Sequence, residues 1–133
     1  MDAVKTLKEK GIRPSVQRTA IMRYLQENRV HPSADTVFLA LRGDMPTLSR
    51  TTVYNTLRMF CDKGVAQMVV MDGEDMRFDA DISLHGHFRC TKCGSIHDVF
   101  FADPASLNIP RPHGFRTDSI QISYSGLCPE CRN

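Results

Sequence analysis

Two Cys-x-x-Cys pairs, Cys90-Thr91-Lys92-Cys93 and Cys128-Pro129-Glu130-Cys131, stand 34 residues apart in a chain of 133 residues. Each pair can turn two sulfurs toward one ion, and four thiolates complete a closed tetrahedral zinc shell. A closed shell has no open position, so the expected ion, one Zn2+ per subunit, is structural. It staples the C-terminus back to the strand near Cys90. A redox dithiol would call for a thioredoxin-like βαβ setting, which the flanking sequence does not offer. Cys61 stands apart from both pairs and reads as a core residue rather than a ligand.

Composition narrows the classes further. With 41% hydrophobic and 24% charged residues, the chain is neither collagen-like nor a disordered tail. Its longest apolar runs, such as Val65 to Met71, are too short to cross a bilayer, so no membrane partner is expected. Met1-Asp2-Ala3-Val4-Lys5 does not resemble a secretion signal, and the expected location is the cytoplasm, where thiols serve metals better than disulfides. The net charge is only +2; residues 1–76 carry 11 Lys/Arg against 9 Asp/Glu, and residues 77–133 carry 6 against 6. That charge is too small to argue for nucleic acid, so the case must come from pattern. Four of the five Cys fall after position 89, and the expected organisation is two domains, 1–78 and 79–133.

The first half reads as helices followed by a hairpin. Ser15 can cap a helix running to about Asn28, with Val16, Ala20, Tyr24 and either Ile21 or Leu25 on its buried face. Ser33 can cap a second helix carrying Val37, Phe38 and Leu41. Gly43-Asp44-Met45-Pro46 breaks the chain, and a third helix runs from Ser49 to Gly64 with Val53, Leu57 and Phe60 inward. These are the parts of a helix-turn-helix. After Gly64 the period changes. Val65 to Val70 reads as a strand, Asp72-Gly73 as a turn, and Met76-Arg77-Phe78 as the return strand of a wing.

The solvent face of the third helix suits duplex DNA. Ser49, Arg50, Thr51, Thr52, Tyr54, Asn55 and Arg58 supply hydroxyls, an amide, a phenol and two guanidiniums. Arg reads guanine, Asn suits adenine, and Thr or Tyr can meet a thymine methyl or a phosphate. Taken singly, each is an ordinary solvated residue; the helix-turn-helix and wing around them make DNA the better reading. Arg13 and Arg18 flank the first long helix and are further candidates for phosphate or minor-groove contact.

In the second half, His87 to Cys90, Ser95 to Phe101 and Arg116 to Ser125 read as strands, with Ile120, Ile122 and Tyr124 on one face. Pro104, Pro110 and Pro112 keep any helix between Ala102 and Gly114 short. A second metal constellation is available in His85-Gly86-His87, Asp79, Asp98 and His31. Three imidazoles and two carboxylates would make an N3O2 shell suited to Fe2+, Mn2+ or Zn2+. Each also has a bland reading: His31 as a helix cap, Asp79 and Asp98 as surface carboxylates.

The chain resembles the ferric uptake regulator (Fur) family of metal-dependent bacterial repressors over almost its whole length. The matching elements are Gly11-Ile12-Arg13-Pro14-Ser15-Val16-Gln17-Arg18, His31-Pro32-Ser33-Ala34-Asp35, Ser49-Arg50-Thr51-Thr52-Val53-Tyr54-Asn55-Thr56-Leu57, Arg77-Phe78-Asp79, His85-Gly86-His87-Phe88-Arg89-Cys90 and both Cys pairs. The resemblance implies an α+β chain: an N-terminal winged helix that binds DNA, then a small α/β dimerisation domain with a structural four-cysteine zinc site. It implies a regulatory Fe2+ or Mn2+, one per subunit, held by His31, Asp79, His85, His87 and Asp98. It further implies a homodimer joined through the second half and bound to palindromic operator DNA.

Within that family the chain is most similar to the peroxide-sensing (PerR) branch, because Asp98 stands where Fur proper tends to have Glu and Asn55 follows Tyr54 in place of Arg. Gly86 falls where many Fur proteins carry an Asp of a further metal site, and the Pro-rich stretch Asp103 to Gly114 replaces a longer helix. The branch implies hydrogen peroxide as the signal, with His31 and His85 the candidates for oxidation, and no enzyme activity. The alternative is an iron, manganese or zinc homeostasis repressor on the same fold, without peroxide sensing. A metallohydrolase is more remote, since it needs a substrate cleft and general base that the sequence does not mark. A zinc-ribbon interaction module would leave His31, Asp79 and Asp98 without a role.

Overall fold

A computed structural model describes residues 2–70 and 75–133. The chain divides into two compact units, Met1–Ile82 and Ser83–Asn133. Among the described residues, no helix is long and apolar enough to cross a membrane.

The first unit holds α1 (Ala3–Glu9), α2 (Val16–Glu27), α3 (Ala34–Leu41) and α4 (Arg50–Asp62), followed by the antiparallel strands β1 (Gln67–Val69) and β2 (Arg77–Asp79). The helix starts follow from capping. Ser15, Ser33 and Ser49 each adopt extended backbone and accept from the amide three residues on, satisfying a donor the first turn leaves open. Beyond Lys63, Gly64 turns into the left-handed region at φ 76°, which ends α4 where the sequence places its stop. Helix α1 is an addition to the three that periodicity predicts. It spans only seven residues, capped by Asp2, and buries just Ala3 and Leu7, one step of four along its face.

The buried face of α2 differs from expectation. Ile21, Met22 and Leu25 are buried, whereas Val16 is 80% exposed because it stands in the first turn, beyond the reach of the core. On α4, Val53, Leu57 and Phe60 are buried as expected, together with Thr56. Val53, Leu57 and Phe60 join Leu7, Ile12, Val37, Leu48, Val65 and Phe78 in one apolar cluster. Fully burying a side chain such as Phe60 or Leu57 contributes roughly 1.5–3 kcal/mol. The hairpin β1–β2 forms the wing, with Met68 opposite Phe78. It is shorter than the expected Val65–Val70 and Met76–Phe78 strands at one end and reaches Asp79 at the other. The Asp72-Gly73 turn lies outside the described residues.

The second unit is a three-stranded sheet in the order β4-β3-β5, built from β3 (Gly86–Cys90), β4 (Ile96–Val99) and β5 (Ile122–Gly126). Strands β3 and β4 are antiparallel; β3 and β5 are parallel. The final strand begins at Ile122 rather than Arg116, and Tyr124 on it is exposed while Ile120 and Ile122 are half-buried. Between β4 and β5 the prolines permit only a 3-10 turn, Pro104–Ser106. The unit boundary falls four residues beyond the 78/79 division because Asp79 pairs with Gln67 in the wing.

Candidate metal centres and nucleic-acid interface

Parallel pairing of β3 with β5 sets Cys90 opposite Gly126, so both Cys-x-x-Cys turns leave the sheet at the same end. Thr91 ties the ends together, its amide and its hydroxyl both donating to the Gly126 carbonyl at 2.7 and 3.1 Å. The four sulfurs of Cys90, Cys93, Cys128 and Cys131 lie within 4.8 Å of one another. Cys93 Sγ and Cys128 Sγ are 3.9 Å apart. Four thiolates about 2.3 Å from a tetrahedral zinc stand roughly 3.8 Å from each other, so the set fits that ion.

The sulfurs also sit among donors that favour thiolates. The amides of Cys93 and Cys128 donate to Cys90 Sγ, which lowers the Cys90 pKa to about 5. Ser95 Oγ, 3.0 Å from Cys93 Sγ and 2.8 Å from His97 Nε2, lowers that of Cys93. Burial raises Cys128, and the neighbouring Cys128 sulfur pushes Cys131 up to about 12. The environment thus favours the thiolate at Cys90 and Cys93 and the thiol at Cys128 and Cys131, so binding an ion displaces protons. Sequence reading passed over Ser95; its place two residues after a ligand Cys was the available signal.

Nitrogen and oxygen donors gather in each unit. In the first, the Phe78 amide donates to the Pro32 carbonyl at 3.0 Å and Ser33 bridges to Arg77, which lays the His31-Pro32-Ser33 segment along β2. His31 Nε2 thereby comes 3.5 Å from Asp79 Oδ2, both residues buried. His31 adopts φ 57°, the left-handed region that a residue with a Cβ rarely visits, at a cost of order 1 kcal/mol. Strain of that kind persists where the surroundings dictate a side chain's position.

In the second unit, β3 and β4 set His87 opposite Asp98. Asp98 Oδ1 lies 3.3 Å from His85 Nε2 and 3.4 Å from His87 Nε2. The ring of Phe100 stacks on His85 at 5.0 Å. Two imidazoles and a carboxylate at this spacing match the borderline donor set that takes Fe2+, Mn2+ or Zn2+. Between the two His, a Cβ on Gly86 would come 3.1 Å from the Tyr124 ring and 3.5 Å from that of Phe101. The place where an Asp of a further site would stand is filled by aromatic packing.

On α4, Thr51, Tyr54, Asn55 and Arg58 are exposed along one face. Arg58 Nη1 donates to the Tyr54 hydroxyl at 3.0 Å. Ser49 is engaged as the cap, with its hydroxyl 2.9 Å from that of Thr52. Arg50 is engaged too: its Nε donates to Asp35 Oδ1 at 2.7 Å and its guanidinium lies 4.5 Å over the Phe38 ring. Arg18 donates to the Arg13 carbonyl at 3.1 Å, which joins the two expected phosphate contacts. Cys61 is half-buried, and burial followed by the charge of Asp62 raises its pKa to about 11, as suits a packing residue.

Helices, a wing, a set of four clustered thiols and grouped imidazoles with carboxylates define a winged-helix protein built to carry metal. The chain belongs to the ferric uptake regulator family, whose profile its residues 9–125 match. It is 36% identical over 132 residues to the peroxide operon regulator of Bacillus subtilis (strain 168), spanning 98% of this chain and 91% of that protein. Identity to the peroxide-responsive repressor PerR of Staphylococcus aureus (strain Mu50 / ATCC 700699) is 35% over 136 residues, with 99% and 90% covered. Among solved structures, the ferric uptake regulator of Pseudomonas aeruginosa with manganese superimposes with a TM-score of 0.75 at 25% identity, covering 97% of this chain and 99% of that one.

Proposed function

We propose that this chain is a metal-dependent transcriptional repressor that binds operator DNA as a homodimer and is released by hydrogen peroxide. In this reading His31 and Asp79 of the first unit, with His85, His87 and Asp98 of the second, bind one Fe2+ or Mn2+. The carrying observation is that each unit holds an incomplete set of buried or half-buried nitrogen and oxygen donors, His31 with Asp79 and His85 and His87 with Asp98. An ion shared by both sets favours one placement of the winged helix against the dimerising sheet. In a dimer that placement fixes the spacing of two α4 helices, which must match major grooves about one helical turn (~34 Å) apart or a multiple of it. The ion then acts as corepressor because it binds the DNA-competent arrangement better, and DNA tightens metal binding in return.

The α4 face with Thr51, Tyr54, Asn55 and Arg58 enters the groove, Arg13 and Arg18 grip phosphate, and Ser49, Arg50 and Thr52 hold the start of that helix. Exposed Phe100, Phe115, Tyr124 and Leu127 supply the apolar face on which two copies join. The four-thiolate zinc, one per subunit, keeps the second unit folded. Bound Fe2+ supplies the redox chemistry toward peroxide. The net change inserts one oxygen at a ligand imidazole carbon of His31 or His85, the second oxygen leaves as water, and the peroxide is reduced by two electrons. An oxidised imidazole coordinates poorly and the arrangement relaxes.

The peroxide regulators at 35–36% identity favour this reading over metal homeostasis alone. The test loads zinc-replete protein with Fe2+ or Mn2+, measures operator binding, then adds peroxide and maps peptides by mass. Fe2+ protein should lose binding with a one-oxygen gain at His31 or His85, and Mn2+ protein should keep it. Lost binding with both histidines unmodified overturns peroxide sensing by this route; retained binding supports a homeostasis repressor.

A further inference from the structure

The two oxygens of Asp79 stand in different surroundings. The Asp81 amide donates to Asp79 Oδ1 at 2.9 Å, while Oδ2 faces His31 Nε2 at 3.5 Å. Asp81 is itself fixed from two other elements of the first unit. The Gln67 side-chain amide donates to the Asp81 carbonyl, and Arg29 Nη1 lies 3.8 Å from Asp81 Oδ2. Gln67 is the register partner of Asp79 across the wing, so its side chain reaches past the strand end to the residue that follows. Arg29 leaves the turn after α2 two residues before His31, so the same short segment that carries the imidazole also braces the carboxylate.

We propose that Gln67 and Arg29 are positioning residues for the regulatory metal: they fix Asp81 so that its amide occupies Asp79 Oδ1 and Asp79 takes Mn2+ or Fe2+ through Oδ2 alone. The proposal rests on the reading of His31 and Asp79 as ligands to one ion. The physics is that of a bonded carboxylate. An oxygen that accepts an N–H bond has less electron density and less freedom to swing toward a cation, so the second oxygen becomes the ligand and its direction is set. A carboxylate that supplies one oxygen rather than two also keeps the coordination number down, which leaves room for a further small ligand. Groups that orient a ligand in this way commonly matter 10–100-fold in metal affinity. Neither Gln67 nor Arg29 touches the ion; both act through Asp81.

The experiment titrates zinc-replete full-length protein with Co2+, read by visible absorption, and with Mn2+, read by competition. Gln67→Leu and Arg29→Ala should each weaken Mn2+ binding, Gln67→Leu by about 10-fold and Arg29→Ala by less, since its pair is longer and partly exposed. Both should weaken the Co2+ absorption as Asp79 Oδ1 swings in and the coordination number rises. Arg29→Lys should restore both readouts. Wild-type affinity and spectrum in the two variants overturn the proposal, and so does weakened binding with an unchanged spectrum, since a merely loosened hairpin would produce that. If Gln67→Leu fails to fold, the exposed Arg29→Ala decides alone. An Asp79→Ala protein that keeps the wild-type Co2+ spectrum overturns the ligand assignment itself, a separate failure.

Discussion

His85 Nδ1 lies 2.8 Å from the carbonyl oxygen of Ser83. A carbonyl only accepts, so Nδ1 is the donor in that contact, and Nε2, 3.3 Å from Asp98 Oδ1, is the nitrogen turned toward the other donors. The contact that orients the ring comes from a carbonyl two residues away in the chain. His85→Gln puts an amide near the same place but cannot present a nitrogen lone pair. Its Mn2+ affinity, read by competition titration, is expected to fall on the order of 100-fold, about 2.7 kcal/mol. The zinc-site sulfurs lie elsewhere in the sheet, so zinc content by elemental analysis should stay at wild-type level.

Arg50 gives a prediction opposite in sign to the usual one for an arginine on a recognition helix. Its charge is already faced by Asp35 at 2.7 Å, both side chains more than half exposed. Asp35→Ala frees that cation to meet phosphate. The slope of log affinity against log salt should steepen by up to about one, with tighter nonspecific binding at low salt. An exposed pair of this kind holds about 1 kcal/mol or less, so the melting temperature should barely move. Arg58→Ala, whose guanidinium has a phenol partner and, among the described residues, no carboxylate, should flatten the slope by about one.

How legible was this in the sequence? The four-cysteine set was fully so, because two fixed-spacing turns demand a common ion whatever the sheet around them. Ser15, Ser33 and Ser49 marked their helices because a cap is a local matter between one hydroxyl and one amide. Val16 misled, since a periodic face says which residues align and not which turn the core reaches. Helix α1 escaped because seven residues hold too few periods. The division of the imidazoles into pairs, His31 with Asp79 and His85 and His87 with Asp98, needed the register of the wing and of β3 against β4, which depends on partners far along the chain. Of the two engaged residues passed over, Ser95 was marked only by its place two residues after Cys93, and Asp81 carried no pattern.

Cys61 separates a packing thiol from the ligand thiols. Its pKa is raised to about 11, by burial first and the Asp62 charge next, against 9.0 when unfolded. A raised thiol pKa favours the folded, protonated form. That contribution is complete below about pH 9 and is lost as pH rises through about 11. In zinc-loaded protein at pH 8, alkylation by iodoacetamide should therefore leave Cys61 unmodified for far longer than in urea. The rate should climb through pH 10–11, read by peptide mass.

Zinc removal should melt one unit and spare the other. Among the described residues, the buried positions of Ser83–Asn133 are His85, Gly86, His87, Cys90 and Cys128, so two metal-ligand sets stand where an apolar core would be. The first unit instead buries Phe60, Phe78, Leu57, Ile21 and their neighbours. A unit without an apolar core has little to offset the ordering of about fifty residues once its ion leaves. Chelation, or Cys128→Ser, should abolish amide-exchange protection across β3, β4 and β5 and break the dimer. Protection in α2 and α4 should persist. Phe60→Ala should do the reverse, costing the first unit about 3–5 kcal/mol while zinc stays bound. Retained protection in β3 after complete zinc loss, measured by hydrogen exchange and elemental analysis on the same sample, would show that the sheet holds itself together without the thiolate cluster.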